Sequence, residues 1–144
     1  MPAIATQTAQ VPTDDPRVVH ALAWRAKLSL DPQELDTLAR PGMPYAVLQK
    51  IAHNPAASAE TLERLIQLDE RSLTYPVTRR GDLSPAVIDR IARRLTDRNA
   101  IYHASSAPNA APDTLRYLAS HPSAPAGTRE TVARRLGDDT LPAA

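Results

Sequence analysis

The four histidines of the chain, His20, His53, His103 and His121, never stand three or four residues apart, the spacing that sets two ligands on one helical face. There is no H-E-x-x-H run. There is also no cysteine, which excludes disulfides, thiolate metal sites and iron–sulfur clusters, so neither a metal nor another cofactor is expected. Ser105 and Ser106 follow His103 closely, yet a serine nucleophile needs a base-oriented hydroxyl on a sharp turn, and no G-x-S-x-G elbow is present. The four glycines form no phosphate-cradling pattern. The chain is therefore expected not to be an enzyme.

The remaining chemistry is that of recognition. Gln49, Tyr75 and Tyr102 recur at one place in a repeated pattern described below, and His53, Arg79 and Ser106 recur four residues further on, one helical turn away. With Arg80 and His103 they form the candidate partner-binding set, since Tyr and Arg anchor interfaces most often. The tyrosines have two readings: packed between layers with only their hydroxyls wet, or presented to a partner. Arg79, Arg80, Arg90, Arg93, Arg94 and Arg98 are concentrated in one stretch, and the second half of the chain is net +4 where the first is −3. The basic patch of Arg90, Arg93, Arg94 and Arg98 suits phosphates or an acidic protein, while Asp82, Asp89 and Asp97 nearby suit a solvated helix face. Another protein is the first expected partner, and nucleic acid, gripped by the arginine cluster, is the alternative.

A repeat must position these residues. Pro32, Ala59, Pro85 and Pro112 open similar segments at separations of 27, 26 and 27, and the apolar pairs Leu35/Leu38, Leu62/Leu65, Ile88/Ile91 and Leu115/Leu118 hold the same places after them. Asp31, Ser58 and Ser84 supply N-caps, Glu34 makes a capping box with Asp31, and Ala111 breaks the rule. A shorter second element follows each opening helix, at residues 47–52, 73–78 and 100–105, then a turn rich in Pro, Gly, Asn or Asp. Pro76 inside its element predicts a short, 3₁₀-like or kinked segment. Ahead of the repeat, Asp15 caps a helix that begins with Pro16 and runs to about Leu28. Trp24 on it either packs as the cap of an open end or serves as a ligand platform. The closing unit spans 125–136, with Val132, Ala133 and Leu136 inward, Arg134 and Arg135 outward, and Gly137 ending it.

Units this small bury their apolar faces only against one another, which predicts an all-α fold. We expect a short α-solenoid of about four helical repeats (α/3₁₀ or α/α hairpins) over residues 14–137 with an N-terminal capping helix. A disordered tail is expected at 1–13 and a frayed one at 138–144. No Phe and one Trp leave a core of Leu, Ile, Val and Ala in thin layers. A net charge of +1, no apolar run near membrane-span length and no signal-peptide pattern point to a cytoplasmic protein away from membranes.

The phrases Ile51-Ala52-His53-Asn54-Pro55 with Ala59-Glu60-Thr61-Leu62-Glu63-Arg64-Leu65, and Ala119-Ser120-His121-Pro122-Ser123-Ala124-Pro125, resemble the variant leucine-rich repeat (LRV). That resemblance covers about Leu30 to Leu136, although Leu48, Thr74 and Ile101 stand where the family has arginine. It implies a right-handed superhelix of alternating α and 3₁₀ helices, HEAT-like in style, and a scaffold that holds a protein on its concave face. The cysteines with which a family member binds an iron–sulfur cluster are absent, so no redox role comes with it.

Overall fold

Each helix starts where the sequence offers an acceptor to its unpaired N–H groups or a proline that needs none. The computed structural model describes residues 14–137, and the predicted tails at 1–13 and 138–144 lie outside the described residues. Among the described residues there are nine α-helices and no strand: α1 (Pro16–Leu28), α2 (Pro32–Leu38), α3 (Tyr45–His53), α4 (Ala59–Leu68), α5 (Glu70–Thr78), α6 (Pro85–Ala92), α7 (Arg98–Ala104), α8 (Pro112–Ala119) and α9 (Ala126–Leu136). The side chains of Asp15, Asp31, Ser58 and Ser84 accept from backbone N–H groups as predicted, and Ala111 supplies no side-chain cap. The capping box at α2 does not close. Ser29 Oγ takes the Asp31 N–H, and the Glu34 carboxylate turns instead to Arg25, whose Nε donates to it at 3.3 Å.

The second elements are longer and more regular than predicted. Asp69 and Asp97, unnoticed as caps in strongly charged stretches, accept from the first turns of α5 and α7. Pro76 neither shortens nor breaks α5, which is a nine-residue α-helix. The proline sits in its last turn, and the Ser72 carbonyl that it cannot serve belongs to an exposed residue within reach of water. Thr74 and Thr78 hydroxyls also donate back to the carbonyls of Glu70 and Thr74, both at 2.6 Å.

Two layers result. In one, α1 packs on α3, α3 on α5, α5 on α7 and α7 on α9; in the other, α4 packs on α6 and α6 on α8, while α2 to α5 and α6 to α9 also contact their chain neighbours within each run. All eight residues of the four apolar pairs are buried, none more than 7 % exposed, and with Val47, Ile51, Leu73, Val77 and Ile101 they make the core. Each such side chain contributes on the order of 1.5–3 kcal/mol when fully buried. Of the closing unit, Val132 is buried, Ala133 and Leu136 half-buried, and Gly137 adopts φ 63, the left-handed cap that a residue with Cβ resists.

Two sets of polar ties join each helix pair to the one before. In the turns, Asn54 Nδ2 donates to the carbonyls of Ala26 and Ser29, both at 2.8 Å, and its Oδ1 accepts the Ala56 N–H. Asn109 Nδ2 repeats this with Gly81 (2.9 Å) and Leu83 (2.7 Å). Between them Arg80 holds the place of Asn54 in the register and Asp82 that of Asn109; Arg80 gives Nη1 to Ala52 (2.9 Å) and Asn54 (3.1 Å) while Asp82 grips its other edge. Arg135, exposed with Arg134 as expected, still reaches back likewise to the Ser105 carbonyl at 2.8 Å. In the other layer Asp36, Glu63 and Asp89 form a row of carboxylates, bonded from the following pair by Thr61 and Arg64, by Arg90, and by Thr114. The Arg64 and Thr61 bonds hold the Asp36 carboxyl below the usual carboxylate range; those of Thr114 and Arg93 do the same for Asp89.

Candidate partner-binding face

Because α3, α5 and α7 bury Val47/Leu48/Ile51, Leu73/Val77 and Ala100/Ile101/Ala104, helical spacing leaves the opposite stripe of each to solvent. That stripe carries Tyr45 and His53 on α3, Arg71, Tyr75 and Arg79 along α5, and Arg98 and Tyr102 on α7, all exposed, with Gln49 half-buried among them. The structure therefore gathers Gln49, His53, Tyr75, Arg79 and Arg80 around one groove of about 360 Å³ between α3 and α5, together with Tyr45, Ser72 and Pro76. Tyr75 is 47 % exposed, so it is not packed away between layers. Its ring is held from two sides. The His103 ring stands edge-on at 5.0 Å and the Arg79 guanidinium lies 5.5 Å from the ring centre. His103 also meets Tyr102 at 5.8 Å, which makes it the half-buried wedge between two tyrosines.

Arg80 differs from its neighbour. Only 9 % of its side chain is exposed, and its guanidinium is occupied by two carbonyls and Asp82, whose carboxyl it holds below its ordinary value. It lines the groove as part of the frame and has little charge to offer a partner. The basic cluster does not form one surface either. Arg90, Arg93 and Arg94 line a shallow groove of the other layer with Glu60 and Glu63, whereas Arg98 opens α7 one turn before Tyr102. Arg90 pairs with Glu63 at 3.0 Å and Arg93 with Asp89 at 2.9 Å, leaving Arg79, Arg94 and Arg98 without a carboxylate partner among the described residues.

A second groove, about 550 Å³, lies between α1 and α3. Val19, Ala23, Trp24 and Ala46 give it apolar walls, and His20, Lys27 and Lys50 give it donors. Trp24 is 46 % exposed, with the Lys27 ammonium 4.8 Å from its ring and His20 edge-on at 6.2 Å, so it borders this groove and is not core. Tyr45, Arg71, Lys27 and Lys50 were missed by sequence reasoning. One further turn of the same counting, four residues before Gln49, Tyr75 and Tyr102, lands on Tyr45, Arg71 and Arg98 and would have found two of them.

The histidines stay apart in space as in sequence, on α1, α3 and α7 and after α8. No helix among the described residues is long and apolar enough to cross a membrane. No protein-family model, no curated protein and no solved structure matches the chain.

Proposed function

We propose that this chain is a non-enzymatic, cytoplasmic protein-interaction scaffold: a short right-handed α-solenoid of about four LRV- or HEAT-like repeats, capped by α1, that holds another protein along the wall of α3, α5 and α7. The ties from each helix pair to the preceding one, set 25 to 30 residues apart along the chain, support the solenoid reading. The observation that carries the binding reading is Tyr75. A half-exposed ring steadied by His103 and Arg79 at the edge of a groove has lost much of its freedom before any partner arrives, so covering it gains apolar burial at little further entropic cost.

The test is a photo-crosslinking amino acid placed at Tyr75 and, as a control, at Gln33 on the exposed face of α2, in the native cell. A protein adduct formed at position 75 alone, and lost when Arg79 is changed to Ala, is the expected result. Adducts dominated by nucleic acid, or equal yields from both positions, would refute the proposal.

A further inference from the structure

The two grooves of the wall are neighbours. Helix α3 separates them, presenting Ala46 and Lys50 to the Trp24 side and Tyr45, Gln49 and His53 to the Tyr75 side. Their chemistry differs. The α1–α3 groove is the larger and mostly apolar, with Lys27 and Lys50 at its walls; the α3–α5 groove is the more polar of the two and has Arg79 and His53. Among the lining residues Asp14 is the one carboxylate, and Lys27, Lys50 and Arg79 have no carboxylate partner among the described residues. An occupant covering both grooves thus meets uncompensated positive charge beside an aromatic wall.

We propose that both grooves take a single extended acidic peptide segment, with a large apolar side chain against Trp24 between α1 and α3 and a carboxylate side chain at Arg79 and His53 between α3 and α5. This rests on the partner-binding reading and names the class of partner. The spacing follows from the packing. Adjacent helix axes lie about 9 Å apart and extended chain advances about 3.3 Å per residue, so the carboxylate stands about two to four residues from the apolar anchor, at an even separation that keeps both on one face of the strand. Lys50, on the turn of α3 that faces the first groove, meets the backbone or a second carboxylate in passing. An extended strand suits the wall better than a helix does. The chain crosses from groove to groove across α3, and side chains of a strand alternate without a fixed apolar stripe.

The probe is a fluorescein-labelled peptide of glycine and serine carrying one phenylalanine and, about two and four positions later on the same strand face, two glutamates. Anisotropy and the emission of Trp24, the sole tryptophan, read its binding. Saturable binding that perturbs Trp24 and weakens as salt rises is expected, as is a loss of about tenfold or more when the glutamates become glutamines or move next to the phenylalanine. Arg79→Ala and Trp24→Ala should each weaken binding by a similar factor with unchanged melting, since both side chains are exposed, and Arg79→Lys should restore part of it. Equal binding of the glutamine peptide, indifference to Arg79→Ala, or no binding at millimolar peptide would overturn the proposal. So would tighter binding of a labelled oligonucleotide, or self-association of the chain that buries Trp24. If these tests fail while crosslinks from position 75 still capture a protein, the acidic-peptide inference is refuted and the scaffold reading stands; if the crosslinks fail too, both are refuted.

Discussion

Asn54 is the side chain through which the first turn of the repeat holds on to α1, and its replacement by alanine tests the tie directly. The residue is 4 % exposed, donates to the Ala26 and Ser29 carbonyls at 2.8 Å each and accepts the Ala56 N–H at 2.8 Å. Alanine removes these three bonds and a longer one to the Lys27 carbonyl at 3.4 Å, and fills none of the vacated polar space. With about 1 kcal/mol for each of the three shorter bonds, the loss should be about 3 kcal/mol. In a domain of this size that lowers the melting temperature by roughly 10 °C. Asn54→Asp is the sharper variant because it keeps the acceptor for Ala56 and turns the donor into an anion facing two carbonyl oxygens. The carboxyl of that variant should titrate in the folded state above its unfolded value of about 3.9, which favours its protonated, donating form. A raised folded pKa contributes stability that is fully present below the unfolded pKa and is lost as pH rises through the folded one. The gap between wild type and Asn54→Asp should therefore widen with rising pH. Urea unfolding followed by circular dichroism at several pH values measures it. A loss below about 0.5 kcal/mol for the alanine variant, or a gap that ignores pH, would show that the turn does not depend on this side chain.

The remaining expectations concern the acid limb, the core and Tyr102. The folded carboxyls of Asp36 and Asp89 lie below their ordinary value of 3.8, so the stability they add is present above that value and lost as pH falls through the folded pKa; acid unfolding should flatten in Asp36→Asn and Asp89→Asn. Ile91→Ala and Leu118→Ala should each cost on the order of 2–5 kcal/mol in chemical denaturation, and losses under half a kcal/mol at both would break the repeat register. A Cβ added at Gly127 would lie 3.0 Å from the Tyr102 ring. Gly127→Ala should then push that exposed ring aside, changing the NMR signals of Tyr102 and His103, with stability altered by less than about 1 kcal/mol because helical alanine offsets the displacement. An unmoved Tyr102 would contradict the packing of α7 on α9.

The buried layers were legible because an apolar pair at helical spacing, repeated in register, has few other ways to leave water. The second helices were less legible. Asp69 and Asp97 look like ordinary surface charges until a helix starts after them, and Pro76 argues for a break that occurs too close to the end of α5 to matter. Tyr75 was found by counting, since exposure alternates with burial along a helix. Its fixing by His103 was not, because that contact joins residues 28 apart and depends on how α5 and α7 pack. The part Arg80 plays in the frame was missed for a similar reason. Nothing in the local sequence says that the carbonyls of Ala52 and Asn54 will arrive beside it, although Asp82 in the place of Asn109 does signal a missing donor.

The arginine-rich stretch looked like the most functional part of the sequence, and the structure divides its labour. Alternation of the two layers about every thirteen residues sends Arg79 and Arg98 to the wall of α3, α5 and α7 and Arg90, Arg93 and Arg94 to the opposite layer, so sequence clustering cannot become one patch. Arg80 and Arg90 then each reach back one helix pair, to the Ala52 and Asn54 carbonyls and to Glu63, at the places where asparagine and threonine make the ties elsewhere. A short polar side chain suffices where the opposing group is near. Arginine spans the longer gap and brings its own charge, which Asp82 and Glu63 neutralise on the spot. Positive charge that has been neutralised within the frame attracts no partner at range. The arginines of the stretch left without a carboxylate partner among the described residues are Arg79, Arg94 and Arg98, and of these Arg79 stands beside a tyrosine at a groove, with Trp24 and two lysines one helix away.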